Sequence, residues 1–398
     1  MSRIFTLGWV IVAGGLLLAC DKFEPAEPNE ADLLDGPMEG LTFAENAQFV
    51  RGDVAFNDQL FHSANGLGPV FNATSCVSCH AGDGKGTPFT AFIRFGQGDT
   101  TGNKYLHMGA PQLQDRALPG YAPETLPEGA PYTTLVAPAV TGLGFLQYVT
   151  DEDLLALADP DDEDGDGISG IPNWQPLVDY ITPRPNAVSK DGKYIHRFGK
   201  KASTYDLLQQ TVTAYNQDIG ITSIFDPNDT YSGLSIEPEV PASTIRDVVF
   251  YLETLKAPIP RNQDNPQVIS GKNIFSDIGC SSCHIPTLKT GPAPIEALAY
   301  KIFHPYTDMF LHDMGPGLDD GYTEGSALTS EWRTPALWGL GLSPDSQGGT
   351  YYLMHDGRAR SIPEAIIMHG GEAENARNKY QTLEQWQKDG LLKFLESL

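Results

Sequence analysis

The sequence of 398 residues is poor in cysteine and in positive charge. It contains five cysteines, and its 26 lysines and arginines stand against 51 aspartates and glutamates, which gives a formal net charge of −25. Phosphate backbones and anionic membrane surfaces repel so acidic a chain, so we expect no nucleic-acid partner. Hydrophobic residues make up 40% and aromatic residues 10% of the chain, which is typical of a folded protein and argues against wholesale disorder.

Long hydrophobic runs are also scarce, and only the N-terminus carries one. Arg3 precedes an apolar run from Leu7 to Ala19 that is short for a bilayer span, and Cys20 follows directly. This arrangement indicates an export signal, and its small residue before cysteine resembles the bacterial lipobox. We therefore predict a signal segment over residues 1–20 and a lipidated Cys20, which would hold the exported protein at the periplasmic face of a bacterial membrane. The alternatives are an ordinary signal peptide and an N-terminal anchor.

The other four cysteines form two copies of one short motif. Cys-Val-Ser-Cys-His occupies residues 76–80 and Cys-Ser-Ser-Cys-His occupies residues 280–284. Two cysteines at i and i+3 on one helical turn can form thioethers to the two vinyl groups of a haem, and the next histidine then faces the iron. A zinc site is the alternative, but neither motif has a second pair of soft ligands at zinc-binding spacing. We therefore predict two covalently bound haem c groups, held by Cys76, Cys79, His80, Cys280, Cys283 and His284.

Both motifs stand in the same setting, which predicts two related domains. An amphipathic helix precedes each motif, at 47–61 and at 268–278, and a similar apolar pattern closes each half, at 242–255 and at 393–398. A further amphipathic helix is predicted at 202–218. The pattern predicts a mainly α fold made of two cytochrome c-like domains with long irregular loops.

The domain bounds follow from composition. Residues 21–40 are acidic, rich in proline and glutamate and without periodicity, which predicts a disordered tether. A Pro- and Asn-rich stretch at 256–265 separates an N-terminal domain of residues 41–258 from a C-terminal domain of residues 259–398. The first domain is enlarged by an insertion within 81–200, whose Gly- and Pro-rich composition predicts loops that cover or bind something.

An acidic run within this insertion has the spacing of a cation loop. Asp162, Asp164 and Asp166 alternate with other residues, and Gly167 follows, which is how an EF-hand calcium loop begins. Position twelve of such a loop is a glutamate, whereas Asn173 stands here, so the run is not an EF-hand. We expect one calcium ion held by the three carboxylates and by backbone carbonyls. The alternative is a solvated acidic turn.

A series of longer motifs extends over both halves. They are Gly-Leu-Gly-Pro at 66–69, Phe-Asn at 71–72, Gln-Leu-Gln-Asp-Arg at 112–116, Asp-Gly-Asp-Gly-Ile-Ser-Gly at 164–170, Gly-Ile-Thr-Ser at 220–223, Leu-His-Asp-Met-Gly at 311–315, Glu-Trp-Arg-Thr-Pro-Ala-Leu-Trp-Gly-Leu at 331–340, His-Asp-Gly-Arg at 355–358, Pro-Glu-Ala-Ile at 363–366 and His-Gly-Gly at 369–371. Together they resemble the bacterial di-haem oxidoreductases, often catalogued as peroxidases or thiol oxidoreductases, over about 41–398. More distantly, that family is similar to bacterial cytochrome c peroxidase and to MauG, which share the plan of two domains and two haems. Thiol chemistry does not fit this chain, because every cysteine is already assigned.

The resemblance implies the second ligand of the C-terminal haem. The axial methionine of the peroxidases follows a His-Asp-Gly element, and the corresponding count from His355 reaches His369, with Met368 one residue short. We therefore expect bis-histidine ligation, which gives a lower reduction potential than ligation by histidine and methionine. Met368 and Met314 are the alternatives. Arg358 is expected to pair with a haem propionate.

For the N-terminal haem, the resemblance directs attention to the loop at 104–116. The candidates for the second iron ligand are His107 and Met108. Peroxide cleavage needs groups that orient the peroxide and a group that moves a proton. The candidates for orienting peroxide are Gln112, Gln114 and Arg116, and those for proton transfer are Asp115 and Glu124. The alternative is that the loop only packs over the haem edge.

These residues and the resemblance together predict an exported redox enzyme. We expect electrons from a periplasmic or membrane donor to enter at the C-terminal haem and to reduce peroxide or another small oxidant at the N-terminal haem. The alternatives are a non-catalytic di-haem electron-transfer protein and a MauG-like oxidation of an organic or protein substrate. The peroxidase relatives place a tryptophan between the haems, but residues 81–173 contain none, so a tyrosine or Trp174 would have to serve.

Overall fold

The computed structural model describes residues 29–398. Cys20, the rest of the predicted signal segment and the first part of the predicted tether lie outside this range, so what we expect of them stays a prediction. Within residues 29–398, no helix has both the length and the apolar character that a membrane crossing requires.

Helix predominates over strand, at 34% against 12% of residues, in line with the mainly α prediction. The helices are α1 Phe43–Asp53, α2 Leu143–Gln147, α3 Asp151–Leu155, α4 Leu207–Gln217, α5 Ala242–Thr254, α6 Pro266–Asp277, α7 Ser343–Ser346, α8 Ile362–Met368, α9 Glu374–Thr382 and α10 Gln385–Ser397. The strands are β1 Val70–Phe71, β2 Phe92–Phe95, β3 Gln112–Leu113, β4 Arg116–Ala117, β5 Tyr132–Leu135, β6 Asn173–Gln175, β7 Ser189–Lys190, β8 Lys193–His196, β9 Leu288–Lys289, β10 Ile302–Phe303, β11 Leu311–Asp313 and β12 Glu331–Arg333.

The helices that precede the two motifs begin at defined caps. The Thr42 hydroxyl accepts the N–H of Glu45 at 3.2 Å, and the Glu45 carboxylate accepts the N–H of Thr42 at 2.7 Å, which forms a capping box before α1. The Asn265 side chain accepts the N–H of Gln267 at 2.8 Å, and Pro266 occupies the first position of α6. Local sequence therefore sets where both helices start.

In each half, the helix before the motif packs on the helix that closes the half. A Cβ on Gly52 of α1 would lie 2.1 Å from the carbonyl oxygen of Asp247 in α5. A Cβ on Gly271 of α6 would lie 2.0 Å from the carbonyl oxygen of Gly390 in α10. Both crossings require glycine, because a side chain would overlap the neighbouring backbone. The two halves therefore share one helix pair, which is the repeat that the sequence pattern indicates.

Five small antiparallel sheets organise the stretches for which the sequence predicts irregular loops. Their strand orders are β1–β4, β3–β2–β5, β6–β8–β7, β10–β9 and β11–β12. Strands of two to four residues are too short to show an alternating hydrophobic pattern, so the sequence does not reveal them. In the last sheet, His312 is paired with Trp332 and Leu311 with Arg333, which brings four residues of separate motifs together.

The start of the described chain is packed on the protein body. Met38 is buried, and its N–H donates to the carbonyl oxygen of Thr254 at 2.8 Å. Pro37 forms an antiparallel bridge with Leu255. The disordered tether predicted for 21–40 is therefore wrong for Pro37 and Met38, because an apolar side chain in this acidic stretch finds a place in the core.

Candidate functional site

One large cavity is lined by both halves of the chain. Its volume is about 1060 Å³, at the upper end of the roughly 300–1,000 Å³ of small-ligand pockets. Both cysteine motifs line it, with Cys76, Cys79, His80, Cys280, Cys283 and His284. A cavity of this size, reached by both motifs, fits two large prosthetic groups that lie near each other.

The two motif histidines are oriented in the same way. Each motif begins in a 3-10 turn, and the histidine follows that turn. Nδ1 of His80 lies 2.9 Å from the carbonyl oxygen of Pro138, and Nδ1 of His284 lies 3.0 Å from that of Tyr306. An Nδ1–H that donates to a carbonyl fixes the tautomer and leaves the Nε2 lone pair free for a metal. Both histidines could therefore bind a metal through Nε2.

Burial keeps the motif side chains neutral. It lowers the pKa of His80 and of His284 to about 4, so both imidazoles are in the form that binds metal. It raises the pKa of the Cys76, Cys79 and Cys280 thiols to about 12. Zinc ligation and nucleophilic thiol chemistry both need thiolates. The motifs therefore fit thioether attachment better than either of those roles.

A third histidine in the cavity has the same geometry. His369 follows α8, lines the cavity, and has its Nδ1 2.7 Å from the carbonyl oxygen of Ala365, which leaves Nε2 free. Its charge lowers the pKa of His284, so the two imidazoles are close to each other. Of the alternative ligands, Met314 lines the cavity and Met368 does not. The placement fits the expected pair of His284 and His369.

Three half-buried cations line the cavity and have no salt-bridge partner within residues 29–398. They are Lys85, Lys200 and Arg333. Burial, followed by the charges of Lys85 and Arg333, lowers the pKa of Lys200 to about 7. Like charges in a buried site are unfavourable unless anions compensate them. Haem propionates are such anions, and two haems carry four of them, so these residues fit the group that the motifs imply.

Arg358, expected to pair with a propionate, lies outside the cavity lining. Its Nε donates to Asp356 Oδ2 at 2.7 Å, and its terminal nitrogen lies 3.4 Å from Asp320 Oδ1. The prediction for Arg358 does not hold, because these two carboxylates already bind the guanidinium. His355 does line the cavity, and its Nε2 lies 2.8 Å from Asp320 Oδ2. Lys200 is the better candidate for a propionate.

The loop expected to cover the N-terminal haem reaches the cavity only in part. Gln112 and Arg116 line the cavity, whereas Gln114 does not. Nε2 of Gln114 donates to the carbonyl oxygens of Asn216 and Gln217, at 3.3 and 3.0 Å. The prediction that Gln114 orients peroxide does not hold, because backbone carbonyls already occupy its amide. Gln114 holds the loop on the end of α4.

Of the candidates in the same region for iron ligation and for proton transfer, only one lines the cavity. His107 and Met108 are exposed and do not line the cavity. Among the cavity-lining residues of the first half, 29–258, His80 is the only histidine and there is no methionine. Asp115 lines the cavity and Glu124 does not. The Glu124 carboxylate accepts the backbone N–H of Gln114 at 2.7 Å. The loop therefore offers no second iron ligand at the N-terminal motif.

Sequence reasoning missed a tryptophan that lines the cavity. The Trp332 ring stacks on His355 with 3.8 Å between ring centroids, and Lys201 Nζ lies 3.8 Å from the Trp332 ring centroid. Trp332 also packs with Leu135 of the first half. Trp174, the sequence-based candidate for a tryptophan between the haems, does not line the cavity. Trp332 belongs to one of the motifs that carry the family resemblance, which is the signal that could have identified it.

A buried ionic cluster lies beside the C-terminal motif. His312 Nε2 lies 2.7 Å from Asp308 and Nδ1 lies 2.7 Å from Glu372 and 3.7 Å from Cys283 Sγ. Although burial lowers it, the hydrogen bonds to Asp308, Cys283 and Glu372 raise the pKa of His312 to about 12, so the ring is an imidazolium. Glu372 also accepts the Ser169 hydroxyl at 2.6 Å, which ties the acidic run to this cluster.

The acidic run brings together a different set of carboxylates from the expected one. Oxygens of Asp159, Asp162 and Asp164 lie within 4.8 Å of one another. Asp166 is not in this group, and its Oδ1 accepts the N–H of Ile168 at 2.8 Å. The candidate cation ligands are therefore Asp159, Asp162 and Asp164, in place of Asp162, Asp164 and Asp166.

Among the known structures that match this chain are two at low identity. One is hydrazine synthase from Kuenenia stuttgartiensis, with 15% identity, a TM-score of 0.41 and coverage of 94% of this chain and 96% of that chain. The other is a MauG-like protein associated with microbial copper homeostasis, with 13% identity, a TM-score of 0.40 and coverage of 94% and 95%. No curated protein matches the sequence.

A family model gives the assignment. The model described as "Di-haem oxidoreductase, putative peroxidase" matches residues 28–95 and 133–398. The matched residues include both cysteine motifs and His369, while the omitted segment 96–132 contains Gln112, Gln114 and Arg116. Because the match extends over much more than half of the chain, this protein belongs to the di-haem oxidoreductase family.

Proposed function

We propose that this protein is a di-haem c-type cytochrome that reduces peroxide at the His80 haem with electrons relayed through the His284 haem. This proposal is based on a difference in candidate iron ligands between the two ends of the cavity. His369 stands near His284 with a free Nε2, whereas the cavity-lining part of the first half holds no histidine besides His80 and no methionine. A haem with two protein ligands transfers electrons, and a haem with an open side can activate peroxide.

The chain provides attachment and charge compensation for both haems. The cysteines would form the thioethers, and His80 and His284 would each bind iron through Nε2. Lys85, Lys200 and Arg333 would pair with propionates, which removes the repulsion among these half-buried cations. The haem groups supply the electron-transfer chemistry, and the chain determines where oxidant and electrons meet.

Amide and guanidinium groups gather at the N-terminal end of the cavity. Asn72, Gln112, Gln217 and Arg94 line it. Arg94 donates to the side-chain oxygens of Gln112 and Gln217, at 3.4 and 3.1 Å, so the group is held in one arrangement. The amide N–H groups of Asn72 and Gln112 already donate to protein acceptors, whereas Nε2 of Gln217 has no acceptor within residues 29–398. A fixed N–H donor of this kind orients hydrogen peroxide and steadies the oxygen that leaves. With two electrons and two protons, one hydrogen peroxide molecule gives two water molecules.

The C-terminal end of the cavity is suited to electron relay. His284 and His369 would both bind the iron of the C-terminal haem and so would leave no position there for an oxidant. Trp332 lines the cavity and contacts the first half of the chain through Leu135, which gives an aromatic connection towards the N-terminal end. The strongly acidic chain suits a basic electron donor, because opposite charges speed encounter.

We also propose that the protein is exported and attached to a membrane by a lipid. Lipidation at Cys20 would anchor it at the periplasmic face of a membrane, within reach of a periplasmic or membrane-bound donor. Labelling with a radioactive or clickable fatty acid tests the anchor, and a Cys20→Ala variant is expected to lose both the label and the membrane association. A protein that stays unlabelled would contradict the lipid anchor.

We also propose one calcium ion at Asp159, Asp162 and Asp164, whose carboxylates lie within 4.8 Å of one another. Calcium is expected to raise the melting temperature of the wild type and not that of an Asp162→Asn variant. Asp161→Asn is the matched control, because Asp161 is an exposed neighbour outside the group. Equal calcium effects in the wild type and both variants would contradict the site.

Electron paramagnetic resonance of the resting, fully oxidised protein tests the main proposal. One high-spin haem and one low-spin haem are expected, together with peroxide turnover when a reduced donor is supplied. Two low-spin haems that stay low-spin after one-electron reduction would contradict the proposal and leave the electron-transfer alternative. The measurement needs no knowledge of the natural donor.

A further inference from the structure

A half-buried carboxylate lies at the N-terminal end of the cavity, where no motif led us to expect one. Asp218 follows the last residue of α4 and lines the cavity. Its Oδ1 accepts a hydrogen bond from Gln112 Nε2, which also donates to Asn72 Oδ1 at 2.9 Å. Among the hydrogen bonds of residues 29–398, none reaches Asp218 Oδ2. One oxygen is therefore held by the protein and the other is available to a ligand.

Asp218 is also close to the attachment thiols. Its charge is the second cause, after burial, of the raised pKa of both Cys76 and Cys79. A haem attached through these two cysteines would therefore have the Asp218 carboxylate near its edge. Gln217, its neighbour in the sequence, also lines the cavity, so the carboxylate lies beside the donor proposed to orient peroxide.

The protonation of Asp218 is suited to proton exchange. Burial raises its pKa to about 6, while the hydrogen bond from Gln112 and the charge of Arg94 act in the opposite direction. A catalytic acid–base group works best when its pKa is near the working pH. Arg94 is the charged group that acts on it, and Arg116, on the neighbouring strand β4, acts on Cys79 instead.

The other carboxylates considered for proton transfer are less suited. Asp115 lines the cavity but is exposed, and its Oδ1 accepts a hydrogen bond from Asn72 at 3.1 Å. Glu124 does not line the cavity. Water competes for an exposed carboxylate more than for the half-buried Asp218, which exchanges its proton more readily with a molecule beside it in the cavity.

We propose that Asp218 is the proton-transfer residue of the N-terminal site and that Gln112 is its positioning residue. The carboxylate takes the proton from one oxygen of hydrogen peroxide and returns it to the other oxygen, which leaves as water. The O–O bond breaks with two electrons from the donor, and two further protons from solvent complete the two water molecules. This inference rests on the proposed function, because it requires an N-terminal haem that binds a small molecule.

Cyanide binding to the full-length oxidised protein tests the inference without turnover. Hydrogen cyanide enters as the neutral acid and binds iron as the anion, so a nearby base must accept its proton. Asp218→Asn is expected to slow cyanide binding about tenfold or more and to slow the reaction with peroxide about 10²-fold or more. Its haem content and resting spectrum should match those of the wild type. Asp115→Asn is the matched control and should bind cyanide at the wild-type rate.

The outcomes separate this inference from the proposed function. A wild type that binds no cyanide and does not react with peroxide overturns the proposed function and this inference with it. A wild type that binds cyanide, with an Asp218→Asn variant of equal rate, overturns the role of Asp218 alone. If only Asp115→Asn binds cyanide more slowly, Asp115 is the proton-transfer residue, and the role of Asp218 is overturned.

If Asp218→Asn does not fold with both haems attached, a second variant provides the test. Gln112→Ala keeps the carboxylate but removes the hydrogen bond that lowers its pKa. The midpoint of the pH profile for cyanide binding is therefore expected to move to higher pH, while a purely structural role of Gln112 would lower the amount of protein without moving the midpoint. An unchanged midpoint overturns the inference.

Discussion

Replacing His369 with alanine is expected to open the C-terminal haem while the fold around it stays the same. The side chain of His369 makes one hydrogen bond, from Nδ1 to the carbonyl oxygen of Ala365 at 2.7 Å. Its backbone carbonyl, which accepts from Arg377 at 3.0 Å, is kept in the variant. The substitution therefore removes one axial ligand and little else. The number of high-spin irons should rise from one to two per chain, so the integrated high-spin resonance signal of the oxidised protein doubles.

A control variant and the addition of imidazole test this ligand assignment further. Met314 is the alternative ligand that lines the cavity, and Met314→Ala should leave the high-spin signal unchanged. Imidazole added to His369→Ala should restore the low-spin signal, because the substitution leaves a space of that shape beside the iron. A doubled signal in Met314→Ala, together with an unchanged one in His369→Ala, would refute the ligand assignment.

Three further predictions test other parts of the account. Lys200→Met removes a positive charge that acts on His80, so voltammetry should show the N-terminal haem potential lowered by on the order of 50 mV, and an unchanged potential would contradict that placement. Gly271→Ala places a Cβ 2.0 Å from a backbone oxygen of α10 and should reduce the free energy of unfolding by about 3 kcal/mol in denaturant titrations. Gly317→Ala, with no atom within 4 Å, should be close to neutral, and equal effects would contradict the tight helix crossing. Burial raises the pKa of Glu124 from 4.5 to about 7, so the folded state holds a proton that the unfolded state releases, and stability falls as the pH rises through this range. Glu124→Gln should lose that pH dependence in thermal melts, and parallel pH profiles would contradict the burial of this carboxyl.

Those parts of the fold and site that depend on short-range spacing could be predicted from the sequence. The two Cys-x-x-Cys-His motifs place their chemistry within five residues, so composition and spacing were enough to identify them. The helices of each half carry an apolar repeat over several turns, which makes α5 and α6 visible in the sequence. The predicted helix at 202–218 is present in its second part, as α4 at Leu207–Gln217.

Groups assembled from distant segments could not be predicted in this way. Lys85 and Lys200 come from two separate loops and Arg333 from strand β12, and only the folded chain brings their charges to one cavity. Gln112 and Gln114 are two residues apart, which suggests one common face in a strand. Strand β3 ends at Leu113, however, so the backbone turns and Gln114 points to the carbonyls at the end of α4 instead of the cavity.

The same reason explains why Asp218 and Trp332 were missed. Asp218 has an ordinary sequence neighbourhood, whereas Trp332 lies in a motif whose contacts the sequence does not show. The significance of both residues arises from contacts between distant segments, between Gln112 and Asp218 and between His355 and Trp332. The ligand role of His369 came from the family resemblance alone. The free Nε2 and the closeness to His284 now support that role independently of the resemblance.

The proposed peroxide reduction is best tested by stopped-flow mixing of the half-reduced protein with hydrogen peroxide. Peroxide is expected to react rapidly at the N-terminal haem, and oxidation of the low-spin C-terminal haem should follow through electron transfer within the chain. In Asp218→Asn, the first step should slow while the second keeps its rate constant. A half-reduced protein that is indifferent to peroxide, or one in which the C-terminal haem reacts first, would contradict the account.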